Sequence, residues 1–227
     1  MEERWQRTAA HSRPAEGVKV DMTNAIQVKN NPVLTLLNSA EAVFAKKGLA
    51  GSTTAEIAKL AGMPKATLHY HFRTKEALYL QVLQSIFTEW YQAAASFDEE
   101  DDPAKAIAGY VRSKMEMSWR RPNGSKVWAQ EIISGAPHLR ALLQGEVKPW
   151  MEGRAAKIRT WVEADRIAPV QPEILLFMIW AVTQHYADFE AQIRLLTDQK
   201  RLGKSWFTEA IEQVVSLVLR SVGLGPN

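Results

Sequence analysis

The sequence predicts an all-α protein of about nine helices. Apolar residues recur at i, i+3 and i+4 spacing in successive segments, and no segment shows the sustained alternation typical of a strand. Proline, asparagine and glycine separate these segments at positions typical of helix starts and stops. With 227 residues, 46% of them hydrophobic, the chain can bury a substantial core as one large or two small domains.

The composition excludes several classes of protein. The chain has no cysteine, which rules out a disulfide scaffold, thiolate catalysis and a Cys-ligated metal centre. Its longest wholly apolar run, residues 174–182, is far shorter than the roughly 20 residues that span a bilayer. The polar N-terminus lacks the apolar core of a signal peptide. We therefore expect a cytoplasmic protein without a membrane segment.

The chain divides into three predicted regions. Residues 1–30 lack periodicity and are predicted to form a disordered or flexible arm. Residues 31–77 are predicted to form an N-terminal three-helix helix-turn-helix domain, and residues 78–227 a helical ligand-binding and dimerisation domain. The first domain contains six Lys and Arg against three Asp and Glu. Such a basic excess would attract a polyanion, although an imbalance of this size also arises by chance.

The helix-turn-helix prediction depends on residues 54–70. Thr54 can cap a first helix over residues 55–60, in which Ala58 is small enough for a close helix crossing. Gly62 suits the turn, and Pro64 suits the start of a second helix that runs to Tyr70. Turns of this kind also occur in proteins that never contact nucleic acid.

The second helix would expose a polar face suited to the major groove. Its exposed residues are predicted to be Lys65, Ala66, Thr67, His69 and Tyr70. Lys65 could reach a guanine edge or a phosphate, and the Thr67 methyl group a thymine methyl group. Tyr70 and His71 are better placed for sugar and phosphate contacts. The free amides near Lys75, at the start of the next helix, could bind a phosphate.

Residues 52–83, "STTAEIAKLAGMPKATLHYHFRTKEALYLQVL", resemble the DNA-binding domain of tetracycline-repressor-type (TetR) regulators. The likeness includes the Thr53-Thr54 entry, Ala61-Gly62 and the Phe72-x-x-Lys75-Glu76-x-Leu78 exit. The resemblance implies that Thr53 and Thr54 also contact DNA. Two positions depart from the family pattern: Pro64 stands where serine is usual, and His69 where tyrosine is usual.

The second half resembles the ligand-binding domain of the pyrimidine-utilisation repressor subgroup, in "EIISGAP" (residues 131–137) and "FMIWAVTQHYADFEAQI" (residues 177–193). The resemblance implies a small-molecule pocket above the DNA-binding domain. It also implies a homodimer in which the last two helices of each subunit form a four-helix bundle. The apolar stripe from Phe207 to Leu219 fits such a seam, but a plain core helix would show the same stripe.

Six residues are predicted to bind the ligand. One wall would come from a single helix and the other from residues near position 130: Trp180, Gln184, His185 and Tyr186 opposite Trp128 and Glu131. Aromatic plates hold planar heterocycles, and a glutamine amide matches the N–H and C=O edge of a pyrimidine such as uracil or thymine. Alternatively, these side chains are core aromatics with satisfied polar neighbours.

We find no pattern typical of an enzyme or a metal site. The five histidines form no Glu-x-x-His or His-x-x-x-His spacing and no recognisable triad, and no phosphate-binding glycine loop occurs. No cofactor is expected. The sequence thus predicts a ligand-responsive repressor that binds palindromic operator DNA as a homodimer and is released by a small planar effector. The alternative is a helical ligand carrier or protein-interaction module without DNA binding.

Overall fold

The structure is a computed structural model that describes residues 31–225, except for the side chains of residues 95 and 96. The predicted N-terminal arm, residues 1–30, lies outside the described residues. All regular secondary structure in residues 31–225 is helical, so the all-α prediction is confirmed. No helix in this range is long and apolar enough to cross a membrane.

The helices follow one another with short connections. They are α1 (Pro32–Lys47), α2 (Thr54–Leu60), α3 (Lys65–His71), α4 (Lys75–Ala93), α5 (Ala95–Glu99), α6 (Pro103–Arg120), α7 (Pro122–Ile133), α8 (Arg140–Leu142), a π-helical turn (Leu143–Val147), α9 (Lys148–Glu163), α10 (Pro172–Asp188), α11 (Glu190–Leu196) and α12 (Lys204–Ser221).

Helix α2 begins one residue earlier than predicted, because Thr53 rather than Thr54 is its N-cap. The Thr53 hydroxyl accepts a hydrogen bond from the Glu56 amide at 3.2 Å, and the Glu56 carboxylate accepts one from the Thr53 amide at 3.3 Å. This reciprocal pair is a capping box, which satisfies two amides that the helix itself leaves free.

The turn between α2 and α3 forms at Gly62, as predicted. Gly62 has a φ of 66°, a left-handed conformation that costs glycine little. The Met63 amide donates to the Ala58 carbonyl at 2.9 Å, which closes the end of α2. The seven-residue α3 is too short to be stable alone and depends on fully buried Leu68 for its position.

Helix α6 is the centre of the C-terminal body and packs against α4, α5, α7, α10 and α12. On α12 the apolar stripe predicted as a possible dimer seam includes Phe207, Val214, Val215 and Val218. All four side chains are buried within this subunit's own core. Within this subunit the stripe therefore packs against α6 as part of the core.

The helical pattern after residue 172 predicts one helix from Glu173 to about Leu196, but α10 ends eight residues earlier, at Asp188. No proline or glycine stops it. The chain leaves the helix at Phe189, whose ring stacks on His185 with centroids 4.8 Å apart. The Asp188 carboxylate accepts a hydrogen bond from the Ser125 hydroxyl at 2.6 Å. These tertiary contacts hold the chain where it turns.

The sequence predicts that Pro149 kinks or divides a helix that carries Leu139 and Val162, and a π-helical turn interrupts this helix just before the proline. Pro149 itself lies within the first turn of α9, where its missing N–H costs nothing. The Lys148 amide donates to the Leu143 carbonyl, five residues back. Two residues of this turn, Leu143 and Val147, line the cavity described below.

Candidate functional sites

The face of α3 predicted to enter the major groove is open to solvent. Tyr70 is 84% exposed, and Thr67 is half-buried beside it. The other predicted contact residues on this face are all exposed: Lys65, Ala66, His69 and His71. At the start of α2, Thr53 is exposed and Thr54 half-buried. The predicted residues on α3 and at the start of α2 are therefore wholly or partly accessible to solvent.

Lys75 has a structural role as well as its predicted position. Its ammonium group donates to the carbonyls of Leu49 and Ser52 at 2.7 and 2.9 Å, and so fixes the loop before α2. The N-cap of α4 is Thr74, whose hydroxyl accepts a hydrogen bond from the Ala77 amide at 3.0 Å. The first amides of α4 would also face a phosphate at this point, beside the one Lys75 donor that these two bonds leave free.

Ion pairing changes which positive charges the surface can offer. Lys47 pairs with Glu56, and this hydrogen bond lowers the pKa of the Glu56 carboxyl group. The Glu56 carboxylate therefore offsets the positive charge of Lys47. Lys65 and Arg73 are exposed basic residues on and just after α3, so they supply charge where the groove contact is expected.

The body contains a cavity of about 620 Å³. Helices α4, α6, α7, α9 and α10 and the π-helical turn form its walls. Most of the lining is apolar, and its large rings include Phe87, Trp90, Tyr110, Trp128, Trp150 and Trp180. Trp90 and Trp128 lie with centroids 5.0 Å apart. A cavity of this size and composition is typical of a site for a flat small molecule.

Four of the six predicted ligand residues line this cavity: Trp128, Trp180, Gln184 and His185. Glu131 and Tyr186 do not. The buried Glu131 carboxylate accepts hydrogen bonds from the Tyr79 hydroxyl at 3.1 Å and from the His138 amide at 2.6 Å. Tyr186 points to the other side of α10, where its ring packs on Phe207 with centroids 5.9 Å apart.

Lys114 is the most unusual side chain in the cavity wall, and sequence reasoning missed it. It is only 5% exposed, and its ammonium group lies 4.1 Å from the ring centroid of Trp90. Burial lowers the pKa of Lys114 to about 7, and the charge of Asp188 only partly opposes this. No acceptor within the described residues hydrogen-bonds to its nitrogen, so the amine is free to meet a ligand.

Gln184 and Asp188 give the cavity further polar groups. Within residues 31–225 the Gln184 amide has no hydrogen-bond partner, so its donor and acceptor both remain available. Burial raises the pKa of the Asp188 carboxyl group, while the Ser125 hydrogen bond and the Lys114 charge oppose the rise. A ligand with adjacent N–H and C=O groups would complement this set.

Several residues line the cavity but are not among the six predicted ligand residues, and for some of them the sequence contains a signal. Trp90 lies on the i, i+4 apolar stripe of α4, and Asp188 is four residues from Gln184 on α10. Trp150 follows Pro149 in a segment where no periodicity indicates which side faces inward. Lys114 gives no signal, because a lysine on an amphipathic helix is normally exposed.

Helix α7 joins the cavity to the helix-turn-helix domain. Its Trp128 lines the cavity, whereas the side-chain amide of Gln130, two residues later, donates to the Ala45 carbonyl of α1 at 2.9 Å. Arg121, just before α7, donates to the Glu41 carboxylate of α1 at 2.6 Å. A displacement of α7 by a ligand would therefore act directly on α1.

An exposed helix-turn-helix unit, linked through shared helices to a body with an aromatic cavity, defines the class of ligand-responsive transcriptional regulators. Residues 36–82 match the family described as bacterial regulatory proteins of the tetR family, and residues 83–225 match the C-terminal region of YcdC-like proteins. The chain belongs to the TetR family.

Individual relatives agree with this assignment. The chain is 36% identical over 187 residues to the HTH-type transcriptional regulator RutR of Escherichia coli K12, covering 82% of this chain and 88% of RutR. In fold it is similar to the ketosteroid regulator KstR2 of Mycobacterium tuberculosis, with a TM-score of 0.71 and 17% identity. The match covers 85% of this chain and 95% of KstR2. It is also similar in fold to AibR in complex with isovaleryl coenzyme A and operator DNA, with a TM-score of 0.65 and 16% identity. The match covers 82% of this chain and 97% of AibR.

These matches confirm the resemblance found in the sequence, both to the family and, through RutR, to the subgroup. They also confirm the prediction of a transcriptional regulator rather than an enzyme, since the relatives are regulators. Among the described residues, no group of three or more His, Cys, Asp or Glu side chains could hold a metal ion.

Proposed function

We propose that the protein is a repressor that binds palindromic operator DNA as a homodimer and releases it when a pyrimidine such as uracil or thymine enters the cavity. The observation that supports the proposal best is the pairing of an exposed recognition helix with an aromatic cavity through α4 and α7. The cytoplasmic location and the boundaries of the two domains stay predictions from the sequence.

For DNA binding, α3 is proposed to lie in the major groove. Lys65 would contact a guanine edge or a phosphate, and Thr67, half-buried at the centre of the helix, a thymine methyl group. Tyr70, His71 and the first amides of α4 would contact the backbone. Two such helices in a dimer must reach grooves about 34 Å apart, so binding is sensitive to their separation.

The double variant Lys65→Ala, Tyr70→Ala is expected to lose at least about tenfold in operator affinity, because it removes one base or phosphate contact and one backbone contact. Fluorescence anisotropy with the DNA upstream of the gene, at two salt concentrations, measures the loss and the salt slope. Lys105→Ala is the matched control, since Lys105 is an exposed lysine on α6, outside the helix-turn-helix domain. Unchanged affinity in the double variant would contradict the assignment of α3.

The dimer is proposed to form through α10 and α12, although not through the buried α12 stripe. Three large apolar side chains on these helices are about half or more exposed: Ile174, Phe177 and Leu217. Exposed apolar side chains on two neighbouring helices suit a self-complementary interface with twofold symmetry. The molar mass in solution tests this, and a stable monomer would contradict it.

For the effector, Gln184 is proposed to bind the N–H and C=O edge of the pyrimidine while Trp90 and Trp128 contact its faces. Lys114 would donate to a second carbonyl oxygen. The side chains of Gln184 and Lys114 support this arrangement, since both line the cavity and neither has a hydrogen-bond partner in residues 31–225.

Gln184→Ala is expected to weaken uracil binding about tenfold or more, because it removes two hydrogen bonds to the ligand, while operator binding without ligand is retained. Titration calorimetry with uracil and thymine gives the affinity. Gln192→Ala, at an exposed position on the neighbouring α11, serves as control. Absence of heat with either pyrimidine for the unmodified protein would contradict the pyrimidine assignment without touching the DNA assignment.

Release of DNA requires that the effector bind one conformation more tightly than the other. Helix α4 lines the cavity with Phe87 and Trp90 and begins three residues after α3 ends. A ligand that displaces α4 or α7 would change the distance between the two recognition helices of the dimer. The difference in ligand affinity between the two conformations sets how strongly DNA affinity falls.

A further inference from the structure

The cavity has a second polar corner, formed by Tyr110 and Trp150. The Tyr110 side chain is 2% exposed, and its oxygen accepts a hydrogen bond from Trp180 Nε1 at 2.7 Å. Its own hydroxyl hydrogen has no acceptor among residues 31–225. Trp150 Nε1 is likewise buried without a partner there. Buried donors without acceptors are costly, and native proteins satisfy most of them with water or ligand atoms.

The two unpaired donors belong to one group of rings. The Trp150 ring centroid lies 6.2 Å from that of Tyr110 and 6.1 Å from that of Trp180. The Arg154 guanidinium group lies 4.4 Å from the centroid of the Trp150 ring. Burial raises the pKa of Tyr110, and the Arg154 charge opposes the rise. The corner therefore contains an O–H and an N–H group beside a guanidinium group that is itself paired with Asp98, and two such donors favour an electron-rich oxygen.

This corner is separate from the polar groups already assigned to the pyrimidine. On α6, Tyr110 and Lys114 are one turn apart, a rise of about 6 Å. On α10, Trp180 and Gln184 are likewise one turn apart, about 6 Å. A single ring bound by Lys114 and Gln184 leaves the Tyr110 and Trp150 donors unsatisfied. The cavity of about 620 Å³ has room for a longer ligand.

We propose that the effector is a pyrimidine with a short side arm that ends in a carbonyl or carboxylate oxygen. The ring is held by Gln184 and Lys114, and the terminal oxygen accepts hydrogen bonds from Tyr110 and Trp150. This inference rests on the proposed function, because it specifies the ligand class of the same cavity.

Calorimetry with uracil and with uracil-1-acetate, which carries a carboxymethyl arm, tests the proposal on the full chain. Uracil-1-acetate is expected to bind at least about tenfold more tightly than uracil, a gain typical of two hydrogen bonds to a charged group. Trp150→Phe removes the unpaired N–H and keeps an aromatic ring, so it should reduce that gain and leave uracil affinity within about threefold. Tyr110→Phe should act likewise, although it also frees the Trp180 N–H.

Each other outcome has a definite meaning. If uracil binds and the arm brings no gain, or the gain survives in both variants, the proposal is overturned and the pyrimidine repressor stands. If both variants lose uracil and uracil-1-acetate equally while their melting curves match the unmodified protein, the corner belongs to the ring site and the proposal is again overturned. Failure of both pyrimidines to bind overturns the proposed effector and this inference together.

Discussion

Lys114→Met is expected to raise the thermal stability of the protein and at the same time to remove most of its affinity for the effector. Burial lowers the pKa of Lys114 from its ordinary 10.5 to about 7. Between these two pKa values the Lys114 amine is protonated in the unfolded chain and largely neutral in the folded chain. Burial of this amine therefore disfavours folding at neutral pH. Methionine has a similar shape and carries no charge to bury.

The pH dependence of this effect has a definite sign. The penalty from Lys114 is fully present below about pH 7 and disappears as the pH rises through 10.5, where the amine is neutral in both states. At pH 7 we expect the melting temperature of the variant to rise by at least about 4 °C, and the advantage to shrink toward pH 10. Calorimetric melting curves at several pH values measure it.

Ligand binding completes the prediction for Lys114. The variant loses the amine that donates to the ligand, so uracil affinity should fall about tenfold or more while stability increases, a trade-off typical of functional sites. Lys105→Met, at an exposed position on the same helix, should change neither property. A lower melting temperature or unchanged uracil affinity in Lys114→Met would show that the buried amine has a structural role instead.

Arg121→Met is expected to destabilise the protein by about 3 to 5 kcal/mol, because it leaves a carboxylate buried without its partner. Glu41 is 6% exposed, and its Oε2 accepts hydrogen bonds from Arg121 Nε and Nη2 at 2.8 and 2.6 Å. Arg121 Nη1 also donates to the Glu89 carboxylate of α4 at 2.8 Å. The guanidinium group thereby connects α1, α4 and α7, and the domain that carries α3 should loosen when it is removed.

The neighbouring arginine is the matched control for this prediction. Arg120 pairs with Glu116 four residues earlier on α6, and both side chains are largely exposed, so Arg120→Met should cost less than about 1 kcal/mol. Combining Arg121→Met with Glu41→Gln should recover part of the loss, since no uncompensated charge remains buried. Denaturant unfolding gives all of these free energies. Equal values for the two arginine variants would refute the special role of Arg121.

The sequence predicts the fold well because its signals are local. Helical periodicity, the Gly62 turn and the Thr53-x-x-Glu56 pattern all act within a few residues, so the helix-turn-helix unit follows almost directly from them. Periodicity cannot tell which partner covers an apolar stripe. For that reason the stripe on α12 was compatible with both a dimer seam and a subunit core.

The cavity is predicted less completely because its geometry depends on long-range contacts. Glu131 has the chemistry of a ligand residue, yet it binds the Tyr79 hydroxyl, 52 positions away in the chain. Tyr186 lies on the right helix but on its opposite side. Lys114 becomes a cavity residue only because α4 and α10 enclose it, and no local pattern expresses that burial.

The double attachment of α7 has a consequence for the evolution and engineering of new specificities. Because Trp128 contacts the cavity and Gln130 contacts α1, a substitution in α7 alters recognition of the small molecule and the response of the promoter together. Trp180 and Gln184 lie on α10, whose side-chain hydrogen bonds to other helices within residues 31–225 go to α6, α7 and α9 and not to α1, α2 or α3. A biosensor retargeted to another metabolite should therefore be diversified first at α10.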